Sequence, residues 1–546
     1  MPPQPVLLYR LRKTNYYLPT LTVVAIKVVE VAILKPKEGK TVTKGSWNAS
    51  FHVVLKKAVW MSVLVLLCGI WMPLLASDNT IVRGPYLQLG TPASIVVKWR
   101  TALSDESRVC YGEALENRTT CVDATPDPVI ISSFLENGSP NPKTTTMYAC
   151  EVTLSGLKSD TKYYYSVQAA DDKAPLRVQT NSLRPEWEEP AIEEQDPKEH
   201  FFVTAPECAK PTRIWVLGDP GTDWPGKQDV VRDRFYEFNA GNPNGPYFAN
   251  LWLVLGDNAY VDGFYNPGTA AWEYYYEEGS DGAYQTAFHN YYYKTLRQSV
   301  VWPARGNHEP TPPEAPWGAY YDFFTLPTNG EAGGAPSVTE RWYSFDYGNI
   351  HFISLDSNEL KDLAKDGPMY QWVKEDAANT KKDWVIAYWH HPPYSQGSHD
   401  SDNASEDPNL TAMRQNFLPL LEKAGVDLVM SGHTHALERS FLLDGLYGFS
   451  WELTDANKID AGSGRGKKAY QKPLPRGANQ GTVYMVAGSS GDVDGRNEGH
   501  FNHPVMVSTV TELGSVVIDV DGDRLDAKFI NDKGKIKDYF TIVKGQ

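Results

Sequence analysis

One pattern recurs five times between residues 213 and 435: a short apolar run, then a glycine or proline, then a cluster of polar side chains. Arg213-Ile214-Trp215-Val216-Leu217 leads to Gly218-Asp219-Pro220-Gly221, and Leu251-Trp252-Leu253-Val254-Leu255 leads to Gly256-Asp257-Asn258-Ala259-Tyr260. Val300-Val301-Trp302-Pro303 precedes Gly306-Asn307-His308-Glu309. Trp384-Val385-Ile386-Ala387-Tyr388-Trp389 precedes His390-His391-Pro392-Pro393, and Val426-Asp427-Leu428-Val429-Met430 precedes Gly432-His433-Thr434-His435. Each run has strand length and reads as a buried strand, so the pattern predicts an α/β domain. The polar clusters fall where strands stop and loops converge, the edge at which such folds assemble their sites.

The chain before this region reads differently. From Ile81 to Gln179, short β-branched and aromatic runs alternate with turn residues: Ser94 to Arg100, Glu151 to Leu154, Tyr163 to Val167. This predicts an all-β sandwich over residues 80–181 with Trp99 in its core. The segment Leu154 to Tyr163 resembles the turn and tyrosine corner of fibronectin type III-like domains. No cluster of ligands or nucleophiles falls here, so the sandwich is expected to pack on or shield the catalytic part. Residues 182–210, rich in Glu and Pro at their start, read as a linker or wrapping segment, and 211–546 as the catalytic domain.

The five clusters hold metal-ligand chemistry. Asp219 and Asp257 offer hard anionic oxygens, Asn307 a neutral carbonyl oxygen, and His390, His433 and His435 imidazole nitrogens. One tetrahedral ion cannot use so many donors. They suit two adjacent cations sharing a carboxylate, an arrangement that grips both oxygens of an in-line displacement at phosphorus. Any one block alone is an ordinary turn; five in series, each after an apolar run, point to a dinuclear centre.

Charge adds a targeting segment. The net charge is −15, which leaves no basic excess for a nucleic-acid partner. Residues 1–79 nevertheless carry ten Lys/Arg against three Asp/Glu, and the remainder 42 against 64. Lys56 and Lys57 precede an uncharged apolar stretch from Ala58 to Ala76, so residues 53–76 read as a signal peptide. An uncleaved anchor and a lipid-modified Cys68 are the other forms this segment allows, and either would be the chain's contact with a membrane. The chain is accordingly expected to be secreted, periplasmic or at the cell surface. Residues 1–52 lie ahead of any ordinary signal and are expected to be an artefact of start-site choice. Setting Cys68 aside leaves Cys110, Cys121, Cys150 and Cys208. A bridge between Cys110 and Cys121 and four small buried hydrophobes both fit.

The ordered set G-D-x-G, G-D-x-x-Y, G-N-H-[DE], V-x-x-H and G-H-x-H resembles that of the purple acid phosphatases, within the calcineurin-like metallophosphoesterases. Tyr321 to Pro327, Gly330 to Gly334 and Tyr343 to Gly348 resemble the bacterial branch, as does a fibronectin-like domain ahead of the phosphatase domain. One departure is Ala387, standing where the family has valine three residues before His390. The resemblance implies an N-terminal β-sandwich followed by a catalytic domain of two packed mixed sheets flanked by helices. It also implies a first metal on Asp219, Asp257, Tyr260 and His435, and a second on Asp257, Asn307, His390 and His433. Tyr260 is the discriminating residue, because a tyrosinate favours Fe(III) at the first position and leaves a divalent Fe, Zn or Mn at the second. His308 and His399 are expected to serve the phosphate and the leaving group. The implied activity is hydrolysis of small phosphate monoesters in acid by a metal-bound hydroxide. The alternatives are a phosphodiesterase or nucleotide-cleaving member of the same superfamily and, more remotely, an inactive cell-surface binding protein. His391, His500 and His503 are expected to be structural.

Overall fold

The computed structural model describes residues 79–545, apart from 135–139, 171–173, 181–190, 222–226, 261, 267–270, 277, 310–317 and 495–501. The expectations for residues 1–76 and for His500 lie outside the described residues. No helix among the described residues is long and apolar enough to cross a membrane.

The N-terminal part is two antiparallel-rich sheets. One runs in spatial order Asp127–Phe134, Pro140–Ser155, Ser94–Thr101, Thr80–Gln88, Arg177–Gln179 and Ile192–Glu193; the other runs Phe201–Val203, Lys162–Ala169, Ser107–Gly112 and Thr120–Ala124. Inward residues of both, among them Ile81, Val97, Val109, Val152, Leu154 and Val167, form the core around Trp99, which is 1 % exposed. The Trp99 indole N–H donates to Ser107 Oγ at 3.0 Å. Tyr163 Oη accepts from the Lys158 N–H at 3.0 Å, closing the turn back on itself as a tyrosine corner does. Cys110 and Cys121 face each other across neighbouring strands and are bridged, whereas Cys150 and Cys208 are free thiols. Part of the stretch read as linker or wrapping segment is strand: Phe201 and Phe202 are buried where Phe201–Val203 extends the second sheet.

Two mixed sheets make the catalytic part. The first has the order Val301–Pro303, Leu251–Val254, Thr212–Leu217, Gly514–Asp521, Arg524–Asn531, Ile536–Lys544 and Tyr470–Lys472, with its first three strands parallel. The second runs Tyr343–Tyr347, Ile350–Ser354, Trp384–Tyr388, Leu428–Ser431, Thr482–Ala487, Leu437–Leu443 and Lys458–Asp460, and Met506–Val510 pairs beside Leu437–Leu443. Trp302 of the first sheet stacks on Phe345 of the second at 3.8 Å, so the sheets meet through aromatic faces. On the far side of the second sheet, helix Pro368–Asn379 and the helical run Leu418–Lys423 cover a separate apolar cluster that includes Trp389, Met413 and Phe417. The strands of the sequence pattern are buried along their whole length, apart from Arg213 in the first, which is why they lack alternation.

Charged groups join sandwich to catalytic part. Arg83 and Arg100, on neighbouring strands, both grip Asp281 at 2.7–3.0 Å. Tyr165 Oη donates to the Arg297 carbonyl at 2.9 Å.

Candidate metal centre

The parallel strands end on one side, and their five loops lace together there. Asp219 N–H donates to the Gly256 carbonyl, Gly221 N–H to the Asp257 carbonyl, Tyr260 N–H to the Gly221 carbonyl and Gly432 N–H to the His390 carbonyl, all at 2.9–3.2 Å. Asp219, Asp257 and His433 have φ of 55°, 50° and 69°, the left-handed region that non-glycine residues avoid. Such strain, of order 1–3 kcal/mol per residue, persists where surrounding contacts dictate the backbone, and here it falls on three candidate ligands. Glycines supply the room: a Cβ on Gly306 would lie 2.0 Å from Asp257 Oδ1, and one on Gly256 would lie 2.6 Å from His390 Nδ1.

All seven residues picked as ligands meet here, in two groups that share Asp257. In the first, the Tyr260 hydroxyl lies 3.2 Å from Asp219 Oδ1, 2.9 Å from Asp257 Oδ2 and 3.1 Å from His435 Nε2. In the second, His390 Nε2 lies 2.8 Å from Asn307 Oδ1, 3.2 Å from Asp257 Oδ2 and 3.1 Å from His433 Nδ1.

The proton inventory of the second group favours a cation. His390 Nδ1 faces the Leu255 carbonyl at 3.0 Å, and His433 Nε2 faces Asp407 Oδ2 at 2.8 Å. Carbonyl and carboxylate oxygens only accept, so those nitrogens carry the hydrogens, and the opposite nitrogens present lone pairs in the neutral rings. His390 Nε2, His433 Nδ1, Asn307 Oδ1 and Asp257 Oδ2 are then acceptors crowded together, an arrangement that a metal ion satisfies. Asp257, His390 and His433 can place three ligand atoms within 4.8 Å of one another. Burial works to depress His390, yet the Asp257 and Asp219 charges draw it above the usual imidazole range, so without an ion a proton takes the place on Nε2 that a cation would fill. Burial, then the same two carboxylates, push the Tyr260 phenol far above its ordinary value, so a phenolate at this position needs a strongly charged cation beside it.

His308 and His399 flank the two groups. His308 donates its backbone N–H to Asp257 Oδ1 at 2.9 Å, its ring packs 4.4 Å from Tyr260, and Nδ1 lies 2.7 Å from Glu278 Oε2. The His399 ring stacks on His433 at 3.7 Å, with Nδ1 3.5 Å from Asp407 Oδ2. Both rings are about one-third exposed, at 35 % and 34 %. His391 is buried with Nδ1 2.8 Å from Ser357 Oγ, and burial depresses its pKa. His503 is buried against Tyr394.

Sequence reasoning gave no role to three carboxylates that organise this site. Glu309 lies within the Gly306-Asn307-His308-Glu309 block, so its position was visible. Its Oε1 accepts from the N–H groups of Asn258 and Ala259 and its Oε2 from those of Asp257 and Gly306, pinning two ligand loops together. Arg305 donates to the Glu309 carbonyl at 3.0 Å and pairs with buried Asp356 at 2.6 Å. Glu278 and Asp407 reach their histidines from separations of 30 and 26 residues, with no local pattern to mark them.

Two facing mixed sheets, with acidic and imidazole ligands at the ends of their parallel strands, define a metallophosphoesterase-type domain. The calcineurin-like phosphoesterase family model matches residues 212–437, and the purple acid phosphatase N-terminal domain matches 82–183. The chain is thus similar to the calcineurin-like phosphoesterases over its catalytic part and to the purple acid phosphatases over its N-terminal domain. It is 27 % identical over 303 residues to purple acid phosphatase 15 of Arabidopsis thaliana, covering 53 % of this chain and 49 % of that protein. It is 26 % identical over 339 residues to an uncharacterized protein of Mycobacterium tuberculosis, covering 57 % of this chain and 56 % of that one. The chain thus spans about half the length of these curated relatives. The fold is that of a purple acid phosphatase from yellow lupin (Lupinus luteus) seeds, with a TM-score of 0.58 at 18 % identity over 86 % of this chain and 75 % of that one.

Proposed function

We propose that this chain is an exported acid phosphatase that hydrolyses small phosphate monoesters at a dinuclear metal centre. The observation that carries the reading is the meeting of two donor groups at Asp257, with the Tyr260 hydroxyl inside one of them. Asp219, Asp257, Tyr260 and His435 would hold the first ion, and Asp257, Asn307, His390 and His433 the second. Hard phenolate and carboxylate oxygens suit Fe(III) at the first position, and imidazoles with an amide oxygen suit a divalent Fe, Zn or Mn at the second. Bound there, the ions supply Lewis acidity toward the phosphoryl oxygens and activate the attacking water.

The chain's own groups do the rest. Glu278 accepts the His308 Nδ1 hydrogen, so the ring donates to a phosphoryl or leaving oxygen through Nε2 when that nitrogen carries a second hydrogen. His399, stacked on His433, is suited to bring a proton to the departing alkoxide. The basic and apolar composition of residues 53–76, expected to be a signal peptide, ahead of an acidic body supports work outside the cytoplasm.

A pH–rate profile on paired monoester and diester substrates, run with metal analysis and a visible spectrum, tests the reading. The expected result is about two ions per chain with iron among them, visible absorption through Tyr260, and a monoester optimum below pH 7. A rate still rising at pH 9 with diesters preferred would assign the chain to the phosphodiesterases instead.

A further inference from the structure

Asp407 immediately precedes Pro408 at the start of the short helix Pro408–Ala412, the place where an aspartate ordinarily caps a helix with its side chain. It makes no side-chain cap bond here. Its Oδ2 instead lies 2.8 Å from His433 Nε2 and 3.5 Å from His399 Nδ1, and those two rings stack at 3.7 Å. One carboxylate oxygen thus addresses both a candidate ligand of the second ion and the candidate leaving-group donor. His391 closes the cluster, its ring 4.4 Å from that of His433, while its Nδ1 is engaged by Ser357 Oγ.

We infer that Asp407 is a positioning residue: it fixes the His433 tautomer with Nδ1 toward the second ion and holds the His399 ring against His433. The inference rests on the dinuclear reading above. A carboxylate accepting from the distal N–H of a metal-bound imidazole orients the ring and raises its basicity, and loss of such a partner typically costs 10–100-fold in metal affinity. Among the described residues the Asp407 carboxylate contacts His433 and His399 and not Asp219, Tyr260 or His435, so its removal acts first on the second ion.

The test compares wild type, Asp407→Asn, Asp407→Ala and Asp407→Glu, each loaded with iron and titrated with zinc. Asp407→Asn keeps the side-chain shape and one accepting oxygen; Asp407→Ala removes both. The expected result is zinc affinity weakened about 10-fold in Asp407→Asn and about 100-fold in Asp407→Ala, with partial recovery in Asp407→Glu. The visible band from Tyr260 should persist in all four, reporting an intact first group and a folded chain. Excess zinc should restore most of the phosphatase rate to Asp407→Asn, which it would not do for a generally misfolded enzyme. Wild-type zinc affinity in Asp407→Ala would overturn the inference while leaving the dinuclear reading intact, and loss of the band together with the zinc would overturn it by showing a role not confined to the second ion. A wild-type chain that binds no second ion would instead defeat the reading on which it rests.

Discussion

Glu309→Gln is the sharpest test of how the two halves of the ligand set are held in register. The wild-type carboxylate is 3 % exposed and accepts four backbone N–H groups, two on each oxygen: Asn258 at 2.6 Å and Ala259 at 3.2 Å on Oε1, Gly306 at 2.6 Å and Asp257 at 3.1 Å on Oε2. Glutamine has the same shape but only one accepting oxygen. Either amide orientation therefore points an NH2 group at two buried donors, orphaning one pair whichever way it turns. Buried unsatisfied donors cost about 1–3 kcal/mol each, so the variant should lose about 2–6 kcal/mol. The loss is local to the Gly256–Tyr260 and Gly306–Glu309 loops, which carry Asp257, Tyr260 and Asn307. Denaturant unfolding in the presence of a chelator reads the stability term without metal, and a parallel metal titration reads the geometry of the ligands. Both should fall, the second by at least 10-fold. A variant within 0.5 kcal/mol of wild type and with unchanged metal affinity would refute the claim that Glu309 pins the two loops.

Three other perturbations have defined outcomes. Replacing both Cys110 and Cys121 by serine opens a loop with a separation of 11 residues and should destabilise the sandwich by about 3 kcal/mol, read as a lowered unfolding midpoint under non-reducing conditions. Burial alone would depress His351, but Asp346 and Asp376 at 2.7 and 2.8 Å raise it to about 9. Its contribution is therefore complete below the unfolded value of ~6.5 and lost as pH climbs through about 9, so His351→Gln should cost about 3 kcal/mol more at pH 6 than at pH 9.5 in paired denaturation curves. Asp257→Asn removes a charge from the residue common to both ligand groups and should lose more metal and more rate than His399→Ala, which should retain both ions and slow mainly substrates with poor leaving groups. If His399→Ala emptied the site, its proposed role as proton donor would have to be abandoned.

What was readable in the sequence follows from where specificity is encoded. The strands ending at Leu217, Val254 and Ser431 are buried almost throughout, so their composition is locally constrained to apolar runs, and their ends are constrained again by glycines, among them Gly256 and Gly432, which leave space for His390 and Asp219. Two constraints on adjacent residues leave a legible trace. The strands Gly514–Asp521, Arg524–Asn531 and Ile536–Lys544 complete the first sheet, and Gly514–Asp521 pairs antiparallel to the very strand that ends at Asp219. They carry none of the candidate site residues, so no chemical pattern marks them in the sequence. The extension of the sandwich by Phe201–Val203 was hidden because its two phenylalanines follow a Glu- and Pro-rich stretch whose composition favours solvated chain.

The supporting carboxylates show the other side of that rule. A ligand must satisfy its ion and its backbone at once, and the candidate ligands other than His390 lie within three positions of a glycine. Glu278 and Asp407 have only to deliver an oxygen to a histidine nitrogen, and a carboxylate on any loop passing within reach will do so. Nothing in their own neighbourhoods restricts them; Asp407 even stands in a position that an aspartate would fill for capping alone. Their identity is fixed by tertiary contact, so they become visible only once the chain is folded. Candidate metal ligands are thus legible in a single chain, whereas the carboxylates that face their histidines become legible only in the structure.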